Sequence, residues 1–258
     1  MSQIIQQLQS LSVLVIGDVC IDIFKYGNCT RISPEAPVPV FDYLYEITMS
    51  GMAGNVLNNL NNLYVKTDII KNSAKLTKTR FIDTKTKQHL LREDSINKIE
   101  CLNLSEIKKT DYDAVIISDY DKGFVTQDII SPLIQKFTCP IFVDSKKIDL
   151  SKYENCIIKI NQHEHSKVIK FPNKYELIVT LGENGALYKN KIIPTSKVQV
   201  FDVSGAGDTF IASLVVKYLL CNSLEKSIKF ANTCSSIVVT KSGTATINLE
   251  EILDEICL

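Results

Sequence analysis

The chain has 258 residues, 45% hydrophobic and 22% charged, a composition that suits one large globular domain and excludes a disordered or fibrous chain. Its 29 basic residues are balanced by 29 acidic ones, so no basic excess points to nucleic acid. No apolar run is long enough to cross a bilayer, which argues against a membrane protein.

The amino-terminal "MSQIIQQLQS" is amphipathic and lacks the basic start and apolar core of a secretory signal. Next comes Ser12–Gly17, "SVLVIG", a continuous apolar run that predicts a strand buried on both faces. Residues 41–47, 80–83 and 88–92 read as shorter, half-exposed strands. Residues 53–63 place Val56, Leu57, Leu60 and Leu63 on one helical face. Four more apolar strands are predicted at 114–118, 141–144, 156–160 and 177–180, with a helical pattern at 127–137 between two of them. "KVQVF" (197–201) is strand-like, and helices follow over 205–220, 224–240 and 249–256. Such alternation predicts an α/β fold, a mostly parallel sheet covered by helices, with ligands at the carboxyl ends of its strands. The eight cysteines form no C-x-x-C pair and no metal-like spacing, so free thiols in a cytoplasmic protein are expected.

One stretch carries chemistry on its face. In "FDVSGAGDTF" (201–210) the chain turns through Gly205, Ala206 and Gly207 into a long apolar helix, with Asp208 at its mouth. Free N–H groups and the helix dipole make that first turn an anion site, and glycine lets a phosphate approach the backbone. A carboxylate there can take a proton from an attacking hydroxyl as phosphoryl charge develops. Phosphoryl transfer to an alcohol is the chemistry that fits.

"DVSGAGDTF" resembles the D-T-x-G-A-G-D motif of the PfkB, or ribokinase-like, sugar kinases, with Val203 in place of the common Thr. The resemblance implies a ribokinase-like three-layer sandwich over 1–258, with a small β-lid built from about 23–50 and 78–93. It makes Asp208 the catalytic base and Gly205, Ala206 and Gly207 the anion hole. Asn161 and Glu164 match the family's N-x-x-E element, which organises Mg²⁺ through water. Thr180, Gly182 and Gly185 match its nucleotide loop, and Asn232 joins them on the nucleotide side. ATP and Mg²⁺ are the implied cofactors, and pairing of two lids implies a homodimer.

Residues 13–40, with "SDYDKG" (118–123), "VDSKK" (143–147), "NSLEKSIKFAN" (222–232) and "KSGTATI" (241–247), are similar to the heptose 7-phosphate kinase domains of this family. That likeness implies a sugar phosphate substrate. Asp22 matches the carboxylate that accepts sugar hydroxyls, and Asp18 is either a second contact or a structural turn residue. Gly51 and Asn55 match the region beneath the sugar. Met52 replaces a second glycine there, so its side chain either points away or narrows the pocket. Lys78, Arg80, Arg92 and Lys122, with Arg31 a further candidate, match cations for the far phosphate.

Two departures stand beside the likeness. A strand–helix–strand unit usual in heptose kinases is missing after residue 70, and a kinase acting without a nucleotidyl-transfer domain is expected. Three readings remain: a compact heptose phosphate kinase, a PfkB-type kinase for another sugar or sugar phosphate, or a non-catalytic sugar- or nucleotide-binding relative.

Overall fold

Apolar runs that the sequence leaves unbroken become strands covered on both sides. The structure, a computed structural model, describes residues 2–257. In chain order it opens with α1 (Ser2–Ser10), β1 (Ser12–Gly17), β2 (Val19–Asn28), β3 (Asp42–Met52) and α2 (Ala53–Asn62). Then come β4 (Lys66–Lys71), β5 (Leu76–Asp83), β6 (His89–Asp94), β7 (Ala114–Asp119), α3 (Ile130–Ile134) and β8 (Ile141–Ser145). The last part holds β9 (Cys156–Asn161), α4 (Gln162–His165), β10 (Tyr175–Thr180), β11 (Ala186–Tyr188) and β12 (Lys191–Ile193). Helices α5 (Ala206–Cys221), α6 (Leu224–Val238) and α7 (Leu253–Cys257) complete it.

The central sheet runs β12-β11-β10-β9-β8-β7-β1-β4. From β4 to β10 every pairing is parallel, and β11 and β12 add an antiparallel edge. Pleating sends successive side chains to opposite faces. Val13 and Val15 of β1, with Ala114 and Ile116 of β7, enter a core with α1, α2, α5 and α6. Leu14, Ile16, Val115 and Ile117 enter a second core with α3 and the loops around Tyr153. Helices and loops on both faces of the sheet make three layers, as expected. Helix α5 is apolar all round and buried from Asp208 to Lys217, which a helix tolerates only between other layers.

A second sheet, β3-β2-β5-β6, is built from nearly the segments expected of a lid. Its central strand, β2, went unread because its alternation is broken chemically. Cys20, Asp22, Phe24 and Tyr26 are the buried positions, and a carboxylate among them hides the period.

Two expected elements change. The helix at 127–137 is regular only over Ile130–Ile134. Pro132 supplies no N–H to the turn before it, the Thr126 hydroxyl bonds to the Asp128 carboxylate, and the far end tightens into i→i−3 bonds at Lys136 and Phe137. "KVQVF" is not a strand. The Phe201 and Asp202 N–H groups both donate to Val239 O, so no ladder forms, and Val198 and Val200 line a cavity instead.

Only four residues join β4 to β5. Asn72 closes that short link: its Oδ1 accepts from Val19 N at 2.6 Å, and its Nδ2 donates to the carbonyls of Val19 and Ala74. It thereby ties the last strand of the central sheet to the start of β2. Asn72→Ala should cost about 1–3 kcal/mol, because the Val19 amide groups lose their partners in a mostly buried place. Denaturant unfolding at unchanged slope reads this directly.

Candidate active site

The carboxyl ends of the parallel strands place the polar residues in one row, as such sheets do. Gly17 registers with Ser118, Ser118 with Asp144, Asp144 with Lys159, and Asn161 with Thr180. Asp18 begins the row. Its side chain is fully buried, and Oδ2 accepts the backbone N–H groups of Tyr120 and Lys122 at 2.8 and 3.3 Å. Of the two roles left open for Asp18, the turn anchor fits: with no exposed surface it cannot meet a sugar. Burial, before the nearby Asp119 charge, raises its pKa.

Helix α5 starts at this row. Gly205 holds the position before it at φ +81°, a left-handed conformation that glycine adopts without strain, and no side chain caps the first turn. A Cβ on Gly205 would come 2.5 Å from Asn55 Nδ2, and one on Gly207 would come 2.9 Å from Lys159 Nζ. Both glycines therefore make room, one for a side chain that reaches Asp208 and one for a buried ammonium. Asp202 ties the turn, accepting from the N–H groups of Ser204 and Gly243.

Asp208 is buried in the first turn of α5. Its Oδ2 accepts from Asn55 Nδ2 at 3.1 Å and its Oδ1 from the Tyr120 hydroxyl at 2.8 Å. Burial, followed by the negative Asp144, pushes its pKa up to about 6, against the lowering effect of those two donors and Lys159. Asn55 is itself braced by Asn59, whose Nδ2 donates to Asn55 O and whose Oδ1 accepts from Thr209.

Three residues here were not singled out by sequence reasoning. Lys159 and Asp144 form an ion pair at 2.7 Å, both almost fully buried, directly beneath Gly207. Burial alone would raise the Asp144 carboxyl, but Lys159 and then Lys146 hold it below its ordinary value. Tyr120 is the third. Its only sequence signal lay in the "SDYDKG" likeness, and nothing in spacing marks it.

On the second sheet, Asp22 faces inward and pairs with Arg80 Nη1 at 2.5 Å. Gly51, the β3 partner of Cys20, lies close beside it, and a Cβ there would collide with Asp22 Oδ2. Arg80, expected among the cations for the far phosphate, pairs here with Asp22 and lies over Phe24. Arg92 is exposed and grips Asp94 with two bonds of 2.7 and 2.6 Å. Lys78 faces Asp94 across the strands, and Arg92 first, then Lys78 and Lys122, hold the Asp94 carboxyl below its ordinary value. Arg31 is exposed and makes no ion pair among the described residues. Met52 points away from the pocket, into the core with Leu14, Ile16 and Leu76, despite a φ of +59°.

The other side of α5 opens on a cavity of about 490 Å³, lined by Thr180, Gly182, Gly185, Val198, Val200, Asn232 and the helix start at Ala206 and Gly207. Gly182 to Asn184 form a tight turn between β10 and β11. A Cβ on Gly182 would meet open space, whereas one on Gly185 would collide with Ile193 O. Asn232 lines the cavity with its amide already spent on the carbonyls of Ile193 and Pro194, so it shapes the wall and is not a free donor. Asn161 and Glu164 form a reciprocal cap on α4, and Glu164 also pairs with Lys146.

Among the described residues no group of three or more His, Cys, Asp or Glu is arranged to hold a metal ion. The single carboxylate of this element, Glu164, suits a hydrated ion carried by phosphates better than a protein-built cage.

A helix end offered to an anion, with a buried carboxylate beside it and a cavity running from it, defines an α/β enzyme of the phosphoryl-transferring class. The profile of the "pfkB family carbohydrate kinase" matches residues 56–252, and the chain belongs to that family of carbohydrate kinases. It is 36% identical to the "Bifunctional protein HldE" of a Nitratiruptor species, in an alignment covering 93% of this chain and 64% of that protein. It is 34% identical to the protein of the same name from Helicobacter pylori, covering 93% and 65%. The chain therefore spans somewhat less than two thirds of these curated relatives. The alignment with the Nitratiruptor protein runs over 296 positions, more than the whole of this chain, so that relative carries inserted residues. Among solved structures, ribokinase from Thermotoga maritima superposes with a TM-score of 0.68 at 17% identity, covering 96% of this chain and all of that one. Arabidopsis thaliana ribokinase complexed with ribose and ATP gives 0.69 at 14%, covering 96% and 99%. These likenesses show the shared fold.

The Lys159–Asp144 pair yields a stability prediction. Lys159→Met should strand a buried carboxylate and cost about 3–5 kcal/mol, measured by denaturant unfolding. A loss below about 1 kcal/mol would mean that the pair is solvated in solution.

Proposed function

We propose that this carbohydrate kinase transfers the terminal phosphoryl of ATP to the anomeric hydroxyl of D-glycero-β-D-manno-heptose 7-phosphate, giving the 1,7-bisphosphate. The observation that carries the reading is the position of Asp208, at an uncapped helix start that also borders the nucleotide-sized cavity. ATP lies in the cavity with its phosphates toward the amides of Gly205 to Gly207, which receive developing charge. Lys159, close to Gly207 and paired with Asp144, turns an ammonium toward that helix end. Asp208 accepts the proton of the sugar hydroxyl as the oxygen attacks. Mg²⁺ bound to the phosphates, reached by Asn161 and Glu164 through water, would neutralise polyphosphate charge. Asp22 accepts sugar hydroxyls at the oxygen that Gly51 leaves room for, and Lys78, Arg92 and Lys122 meet the far phosphate. The second sheet serves as the lid that excludes water.

The support for a heptose phosphate is the likeness of residues 13–40 and the gathered cations; another sugar phosphate is the alternative. The Arg92–Asp94 pair favours neither, since a phosphate would have to compete with Asp94. Asp208→Asn should lower ADP release with heptose 7-phosphate by at least about a thousandfold while ATP still binds. A deprotonated base is needed, so wild-type kcat/KM should fall tenfold per pH unit below about 6, where Asp208 takes up its proton. An Asp208→Asn enzyme with near wild-type turnover would remove the base. A preference for unphosphorylated sugars would remove the cation cluster's role.

The same reading places a second copy of the chain on the lid. Strand β3 is a sheet edge, and Tyr43, Leu44, Ile47 and Leu91 are exposed apolar side chains on β3 and β6. Sedimentation should give a dimer, and Leu44→Glu with Leu91→Glu should give a folded monomer.

A further inference from the structure

The base is already occupied. Asp208 Oδ1 accepts a 2.8 Å bond from the Tyr120 hydroxyl, and Asn55 holds the other oxygen. A phenol donating to a carboxylate is chemically what an acceptor sugar's hydroxyl must do at the same atom. The Tyr120 backbone cannot drift, because Asp18 grips the N–H groups of residues 120 and 122 and Asp121 turns the chain at φ +55°. Only side-chain rotation can free Oδ1. Two ammoniums stand over the Tyr120 ring: Lys78 at 5.2 Å, from the second sheet, and Lys146 at 5.1 Å, from the loop after β8. One belongs to the side where the sugar phosphate is placed, the other pairs with Glu164 on the nucleotide side.

We infer that Tyr120 is a positioning residue that caps Asp208 until a sugar hydroxyl displaces it, and so keeps the enzyme from spending ATP on water. This rests on the reading of Asp208 as the base. The side reaction it suppresses is explicit: a water oxygen bonds to the γ-phosphorus, the bond from that phosphorus to the bridging oxygen breaks, ADP leaves, and Asp208 takes the water proton. With the phenol on Oδ1 and the Asn55 amide on Oδ2, each oxygen of the buried carboxylate already accepts one donor, and a water has to compete with the phenol for Oδ1. Lys78 gives the cap a reason to open, since a sugar phosphate that draws this ammonium away removes one of the two cations held over the ring.

The test uses the whole protein with Mg²⁺ and ATP and no sugar. Tyr120→Phe keeps the ring between the ammoniums and removes the donor; Tyr120→Leu vacates the place altogether. Either should raise sugar-independent ADP and phosphate release on the order of tenfold, and Asp208→Asn in the same chain should erase the gain. The acid limb of that hydrolysis should also lie above the Asp208 limb of the wild type, because a donor to the carboxylate is gone while Asp144, Lys159, Lys146, Cys20 and Asn55 still face it. A loosened fold would lower activity and would not create Asp208-dependent hydrolysis. No gain in either variant, or a gain that survives Asp208→Asn, overturns the cap. If instead Asp208 is not the base, Asp208→Asn alone retains sugar-dependent ADP release, an outcome that does not involve Tyr120.

Discussion

The arrangement depends on one buried ion pair. Lys159 and Asp144 sit 2.7 Å apart under the first turn of α5, and the space they need is the space that a side chain at Gly207 would take. Their neighbourhood holds Asp208 and Lys146 as well, so two carboxylates and two ammoniums share a region from which water is largely excluded. The balance explains how a carboxylate can stay at a helix mouth without a solvent shell. It also explains why Asp208 is pushed up while Asp144 is held down. Asp144 forms ion pairs with both ammoniums, whereas Asp208 forms none, and Lys159 offsets its burial and the Asp144 charge only alongside two polar donors. Two similar groups receive different protonation behaviour from their surroundings, a separation that the proposed role of Asp208 as proton acceptor requires.

Much of this was legible in the sequence, and what was legible is local. The Gly205–Asp208 turn announces itself because four adjacent residues carry its whole logic: a left-handed position, a bare approach and a carboxylate. The parallel sheet was readable because its strands are apolar on both faces. Strand β2 was not, since Asp22 sits at an inward position where a period of two expects an apolar residue. Lys159 and Asp144 were invisible for another reason. They meet as cross-strand neighbours of β9 and β8, and a single Lys and a single Asp fifteen positions apart leave no pattern. Tyr120 meets Asp208 across 88 positions and is likewise a product of the fold. The basic residues show the opposite failure. Their likeness to the cations of heptose kinases suggested one shared task, and nothing in that likeness showed that Arg80 would pair with Asp22.

The chain also shows how little is needed between the two sheets. Where the expected strand–helix–strand unit is missing, Asn72 satisfies both amide groups of Val19 and lets β4 run to β5 in four residues. Met52, nearby, is turned into the second core.

The central claim is that this helix start passes a phosphoryl group from nucleotide to sugar. Phosphorus NMR of a mixture of the protein, ATP, Mg²⁺ and heptose 7-phosphate tests it most directly. The account predicts a new phosphate resonance coupled to an anomeric proton, growing in step with ADP while the 7-phosphate signal persists as a monoester. ADP accompanied only by inorganic phosphate, or phosphate appearing at another carbon, would contradict it.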